Sequence, residues 1–231
     1  MTEEKKDYEI LAENAAVVDF SFKIIVIGDS SVGKSSLTIR GTKDHYKDYY
    51  TPTIGFEFLS FNIRIKDKVV KLQIWDTCGQ EVYRSLISSF YRNSSLAIIV
   101  YAIDNESSFD NLESWIDEIK TQTNPDLKIF LIGNKADLED QRVVQKADAE
   151  QLAKEHNIHL FLETSAKTGQ NAQLVFVKAA EMLLEEYKDY NNFGRNSNVS
   201  DNPSISISND NNDINNDKKD DDKSRRKRCC K

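Results

Sequence analysis

The sequence predicts a doubly wound α/β domain on a mixed sheet, and three observations carry that expectation. Apolar, largely β-branched runs at residues 22–28, 96–101 and 128–133 have the near-continuous hydrophobicity of strands buried on both faces of a parallel sheet. Stretches of helical period separate them, the alternation that builds such folds. One segment breaks the alternation: residues 56–65 and 69–75 flank Lys66-Asp67-Lys68, with Val70, Leu72 and Ile74 on one face. That is a β-hairpin, which puts one antiparallel strand into the sheet.

Taken in chain order, residues 1–19 are acidic and mixed and are expected to be disordered. They hold no apolar run of the roughly 7–15 residues of a secretory signal, and Thr2 stands where myristoylation needs glycine. The strand at 22–28 feeds a helical stretch at 35–40, and the hairpin follows. After the strand at 96–101, Phe109, Leu112, Ile116 and Ile119 step by three and four along one helix face. The strand at 128–133 and a shorter one at 159–162 come next, and Phe176, Ala180, Leu183 and Tyr187 mark a final helix. The domain is expected to span residues 20–190. Beyond it the chain turns to Asn, Asp and Ser, so residues 191–231 are expected to form a disordered tail that cannot bury enough surface to offset its ordering entropy.

Composition narrows the class. The chain has 231 residues, 39% hydrophobic and 30% charged, three cysteines and a formal net charge of -7; its pI is near 5.1 and its mean hydropathy -0.58. These values argue against a disulfide scaffold, a multispanning membrane protein and a basic nucleic-acid binder. No stretch approaches the roughly 18 consecutive apolar residues of a spanning helix. The expectation is a soluble intracellular protein.

Gly28-Asp29-Ser30-Ser31-Val32-Gly33-Lys34-Ser35 satisfies G-x-x-x-x-G-K-[ST] between a buried strand and a helix. In that setting loop amides and the helix N-terminus converge on phosphates, Lys34 reaches the β- and γ-phosphates, and the Ser35 hydroxyl ligates Mg²⁺. The loop indicates a nucleoside triphosphate and leaves the base open. Asp76-Thr77-Cys78-Gly79-Gln80 closes the hairpin, with a carboxylate near the metal, a glycine amide near the γ-phosphate and Gln80 placed to orient a water. Asn134-Lys135-Ala136-Asp137 and Glu163-Thr164-Ser165-Ala166-Lys167 follow two further strands, on the side where open α/β sheets bind ligands.

In order and spacing these motifs resemble the Rab family of Ras-superfamily small GTPases, over about residues 20–190 and at the extreme carboxyl terminus. The resemblance implies the P-loop NTPase (small G-protein) fold, with a six-stranded mixed sheet, one antiparallel strand and five helices on both faces. It implies GTP/GDP and Mg²⁺ as ligands. Ser30, Ser31, Val32, Gly33, Lys34, Ser35 and Ser36 would hold the phosphates, and Tyr46 would flank base and ribose. Thr53 and Gly79 would sense the γ-phosphate, and Ser35, Thr53 and Asp76 would hold the metal. Asp137 would read the guanine N1–H and amine, with Asn134, Lys135, Ser165, Ala166 and Lys167 bracing the pocket. Gln80 and Lys34 would act in catalysis, and Phe58, Trp75 and Phe90 would form the effector surface.

The motifs mark no arginine as a finger in cis, Arg84 and Arg92 being assigned to surface or structure, so hydrolysis should be slow until an activating protein supplies one. Cys78 stands where the family usually has alanine and is expected to be a small buried residue. Cys229 and Cys230, one residue from the end, resemble the Rab double-cysteine signal for geranylgeranylation, although Lys231 departs from the commonest ending and C-a-a-X is not met. Arg225, Arg226, Lys227 and Arg228 would add about 1 kcal/mol each near anionic lipid; a nuclear-localisation cluster is the competing reading.

The expected function is a monomeric, lipid-anchored switch on the cytoplasmic face of an intracellular or plasma membrane, with a cytosolic pool, acting in vesicle-mediated protein transport. The implied partners are an exchange factor, a GTPase-activating protein, effectors, a prenylation escort and a dissociation inhibitor, with no nucleic acid. A non-hydrolysing nucleotide-bound scaffold and a P-loop ATPase or kinase are the alternatives.

Overall fold

The computed structural model describes residues 7–12, 17–48, 53, 55–78, 91–124 and 126–194, of which 189–194 as backbone alone. In chain order the elements are β1 (Tyr8–Leu11), β2 (Phe20–Ile27), α1 (Lys34–Lys43), β3 (Phe56–Ile65), β4 (Lys68–Thr77), β5 (Leu96–Ala102), α2 (Glu106–Asp110), α3 (Leu112–Gln122), β6 (Lys128–Asn134), α4 (Lys146–Glu155), β7 (Leu160–Glu163) and α5 (Ala172–Gly194).

One sheet of order β1-β3-β4-β2-β5-β6-β7 holds these strands. β3 runs antiparallel to both of its neighbours, and the remaining pairs are parallel. The chain leaves β2 toward β4 on one side and returns to β5 on the other. This reversal of winding opens a crevice at the carboxyl end of β2.

The period-2 alternation of strand side chains divides the core in two. Phe22, Ile24 and Val26 of β2 join Leu72, Ile98, Phe130 and Ile132 under Leu37 of α1 and Phe176, Ala180 and Leu183 of α5. Ile25 and Ile27 face the other way with Ala97, Ile99 and Leu131, under Trp115, Ile116 and Ile119 of α3 and Ala149 and Ala153 of α4. Helices therefore cover both faces, and every residue of β5 is buried, as its continuous apolar run requires.

The six-stranded expectation is corrected to seven. Tyr8–Leu11, inside the segment expected to be disordered, pairs with the outer edge of β3 in the register Tyr8↔Ile65 to Leu11↔Asn62. Glu9 makes an ion pair with Arg64, and the Asn62 side-chain amide donates to the Ala12 carbonyl at 3.0 Å. Half-buried Tyr8 packs against the first core. A four-residue strand with a charge in it has no stability of its own; the open edge of β3 supplies the template. The last helix runs to Gly194, four residues past the expected boundary.

Candidate nucleotide-binding site

Three loops leave the carboxyl ends of β2, β6 and β7 and meet over the crevice. The first spans residues 28–33, where Ser31 and Gly33 adopt positive φ of 65° and 92°. Gly33 caps α1, and a Cβ there would lie 2.5 Å from the Asn134 amide nitrogen, so the close approach of the two loops requires glycine. No side chain caps α1 and no acidic residue occupies its first turn, which leaves its amino end free for an anion.

Lys34 is 5% exposed. Its ammonium donates to the carbonyls of Gly28 at 2.9 Å and Asp29 at 2.7 Å. Burial lowers its pKa to about 8 against the opposing pull of Asp76 and Asp29. A buried ammonium would gain strongly from an anionic phosphate in the same cleft.

Asp76, at the end of β4, is fully buried, and neither carboxylate oxygen has a hydrogen-bond partner. Burial raises its pKa to about 6, opposed by the Ser35 hydroxyl and the Lys34 ammonium. Next to it the Ser35 and Thr53 hydroxyls lie 2.7 Å apart. An unsatisfied buried carboxylate is costly, and a divalent cation removes the cost. A carboxylate with two hydroxyls is a hard oxygen set of the kind Mg²⁺ takes when phosphate and water complete its shell. Among the described residues there is no cluster of three or more His, Cys, Asp or Glu that would cage a metal without phosphate. The residues fit the ion.

On the base side, Asn134 is buried and joins all three loops. Its amide donates to the Val32 carbonyl at 2.9 Å, and its oxygen accepts from the Thr164 hydroxyl at 3.1 Å. The Ser165 hydroxyl donates to Asp137 at 2.5 Å and accepts from the Thr168 amide at 3.0 Å, which fixes the carboxylate that would meet a base. Lys135 adopts a left-handed φ of 65° and pairs with Asp104 at 3.2 Å.

A cleft of about 450 Å³ joins the two halves. Ser30, Ser31, Gly33, Lys34, Ser35, Ser36, Tyr46, Thr53, Asn134, Lys135, Asp137, Ala166 and Lys167 line it. Val32, Asp76 and Ser165 are buried behind the lining; Val32 contributes its carbonyl while its side chain joins the first core. Gly79, Gln80, Phe90, Cys229 and Cys230 lie outside the described residues. Cys78 is 3% exposed and borders the cleft.

Phe58 is 50% exposed and so is not a core residue. It stands opposite Trp75 in register, with ring centroids 5.4 Å apart. Phe56, also exposed, lies 5.2 Å from the same indole, and the Lys23 ammonium sits 5.1 Å from that ring. The result is an aromatic patch on the hairpin.

Sequence reasoning missed Ile39, His45 and Leu138 in the lining, and the ion-pair partners Asp104 and Arg142. Arg142 holds Glu163 through two hydrogen bonds of 2.7 and 3.0 Å and Glu139 through two more. It thereby fixes the start of the loop that carries Ser165. No local pattern distinguishes such an arginine from a solvated one.

A family model described as the Ras family matches residues 23–185. The Ras-related protein Rab-5A of Dictyostelium discoideum is 44% identical to this chain over 164 residues, covering 71% of this chain and 81% of the relative. A match over most of the chain to both shows that it belongs to the Ras family and, within it, to the Rab-type small GTPases, enzymes that bind GTP and hydrolyse it to GDP.

Proposed function

We propose that this GTPase is a Mg²⁺-dependent timed switch in vesicle-mediated transport, carried on an intracellular membrane by geranylgeranyl groups on Cys229 and Cys230. The observation that carries the guanine and switch reading is the Ser165–Asp137 hydrogen bond of 2.5 Å in the cleft that also contains Lys34 and borders Asp76. Asp137 would accept from guanine N1–H and the exocyclic amine, a pair of donors that adenine does not present together. Ala166 and Lys167 would complete that pocket, and Tyr46 would cover base and ribose. Lys34 would hold the β- and γ-phosphates, while Ser35, Thr53 and Asp76 would hold the ion, which when bound neutralises charge on the phosphates.

Contacts from Thr53 and Gly79 made only to a triphosphate would order the adjoining loops, and hydrolysis would release them. Gln80 would orient the attacking water. The nucleotide state would thus set the surface carrying Phe56, Phe58, Trp75 and Phe90, where effectors would dock. With no arginine marked as a finger in cis, an activating protein would set the rate. An exchange factor, a prenylation escort and a dissociation inhibitor would complete the cycle of the monomer, and residues 195–231 would tether the domain to the bilayer.

The test is displacement of fluorescent GDP and GTP by unlabelled nucleotides. GTP and GDP displace and ATP does not, and Asp137→Asn weakens both guanine nucleotides. Equal displacement by ATP would refute the guanine reading. Single-turnover hydrolysis that is slow in the parent and slower still in Gln80→Leu supports the switch; equal, negligible rates would favour a non-hydrolysing scaffold.

A further inference from the structure

Asp29 stands in the phosphate loop yet does not line the cleft. Its carboxylate accepts from the Trp115 indole N–H at 2.8 Å and from the Asn111 amide at 2.7 Å, while its carbonyl accepts from the Lys34 ammonium at 2.7 Å. Trp115 is 2% exposed and belongs to the second core with Ile116 and Ile119 of α3. Asn111 begins that helix, accepting at its carbonyl from the Trp115 amide and donating its own amide to the Ser107 carbonyl. Both donors are therefore held by a rigid element. The loop they hold has positive φ at Gly28, Ser31 and Gly33, so its shape depends on such outside ties.

A carboxylate in a loop that receives phosphate would repel its ligand at close range. Turned toward α3 and met by two N–H donors, this one anchors the loop instead. We propose that Asp29 is a positioning residue: its bonds to Trp115 and Asn111 hold the phosphate loop against α3 and so set how tightly the loop retains the β-phosphate of the nucleotide. This inference rests on the nucleotide-binding reading of the cleft.

Trp115→Phe keeps the ring and removes the N–H. Asp29→Asn keeps the shape and puts an amide where a donor already points. Dissociation of labelled GDP, the ratio of GDP to GMP affinity and the melting temperature are measured for both single variants and the double variant. Each single variant is expected to release GDP about 10–150 times faster, as loss of a hydrogen bond to a charged group implies. The double variant should be no faster than the quicker single one, because both changes break the same tie. The GDP to GMP ratio should fall by a similar factor while GMP affinity stays within about twofold, since GMP lacks the phosphate concerned.

Folded variants that release GDP at the parental rate overturn the proposal, as do multiplicative effects in the double variant or equal losses for GDP and GMP. A parent that prefers ADP to GDP refutes the guanine reading instead, and the tie is then read with ADP against AMP by the same criteria.

Discussion

Removing the Ser165 hydroxyl tests whether Asp137 is held for the base or merely lies near the loop. In Ser165→Ala, Asp137 loses a 2.5 Å donor and the Thr168 amide loses its acceptor, from a position with no exposure. A hydrogen bond to a charged group contributes about 1.5–3 kcal/mol and a neutral one about 1 kcal/mol. Asp137 is only half-buried, so water recovers part of the first, and the total loss should be about 2–3 kcal/mol.

Only the share spent on aiming Asp137, about 1–2 kcal/mol, bears on the ligand, which corresponds to about 5–30-fold in GDP affinity. The remainder, about 1 kcal/mol, appears as stability, a fall in Tm of about 2–4 °C for a domain of this size. Titration with fluorescent GDP and thermal melting of the nucleotide-free protein read the two quantities separately. A variant that melts lower but binds GDP within twofold of the parent would show that the hydroxyl serves the loop turn alone. A variant that loses about 5–30-fold in GDP affinity and also melts lower is the expected result.

Asp76 predicts a pH trend in protein freed of nucleotide and metal. Its pKa rises from 3.8 to about 6 on folding, so between those values the folded state holds more protons than the unfolded one, and this group's contribution falls as pH rises, by about 3 kcal/mol in all. Urea denaturation in EDTA at pH 4 and pH 7 should show Asp76→Asn gaining stability relative to the parent as pH rises; a constant difference would refute the burial argument. Gly133→Ala would push a methyl to 2.6 Å from the Tyr101 hydroxyl in the second core, an overpacking cost of about 1–3 kcal/mol read as a lower urea midpoint. Deleting residues 1–12 removes β1 and the packing of Tyr8, with the exposed Glu9–Arg64 pair adding little. A loss of about 1–2 kcal/mol is expected, giving a Tm lower by about 2–8 °C with GDP affinity unchanged; an unchanged Tm would mean that the strand contributes nothing.

Much of the fold was legible because its signals are local. The buried parallel strands read as apolar runs, the hairpin at Lys66-Asp67-Lys68 as a break in the alternation, and the helices over Leu112–Gln122 and Ala172–Gly194 as steps of three and four. β1 was illegible because four residues gain structure only from a free edge that other strands create. The cleft lining was legible where backbone chemistry demands particular residues, as at Gly33, Lys34 and Ser35. It was illegible at Ile39, His45 and Leu138, which reach the cleft only because the elements carrying them pack there.

The sequence by itself determined the chemistry: a phosphate loop that needs glycine, lysine and serine at set spacings, a carboxylate after the hairpin, and an aspartate after a buried strand. Tertiary structure decided the arrangement. It joined loops about a hundred residues apart through the Asn134 amide, buried Asp76 with neither carboxylate oxygen hydrogen-bonded, left Phe58 exposed where a strand pattern alone permits core or surface, and turned the Asp29 side chain toward Trp115. Spacing along the chain specifies which groups a short loop can present, whereas burial, pKa and the partners of a charge depend on which distant elements share the space around it.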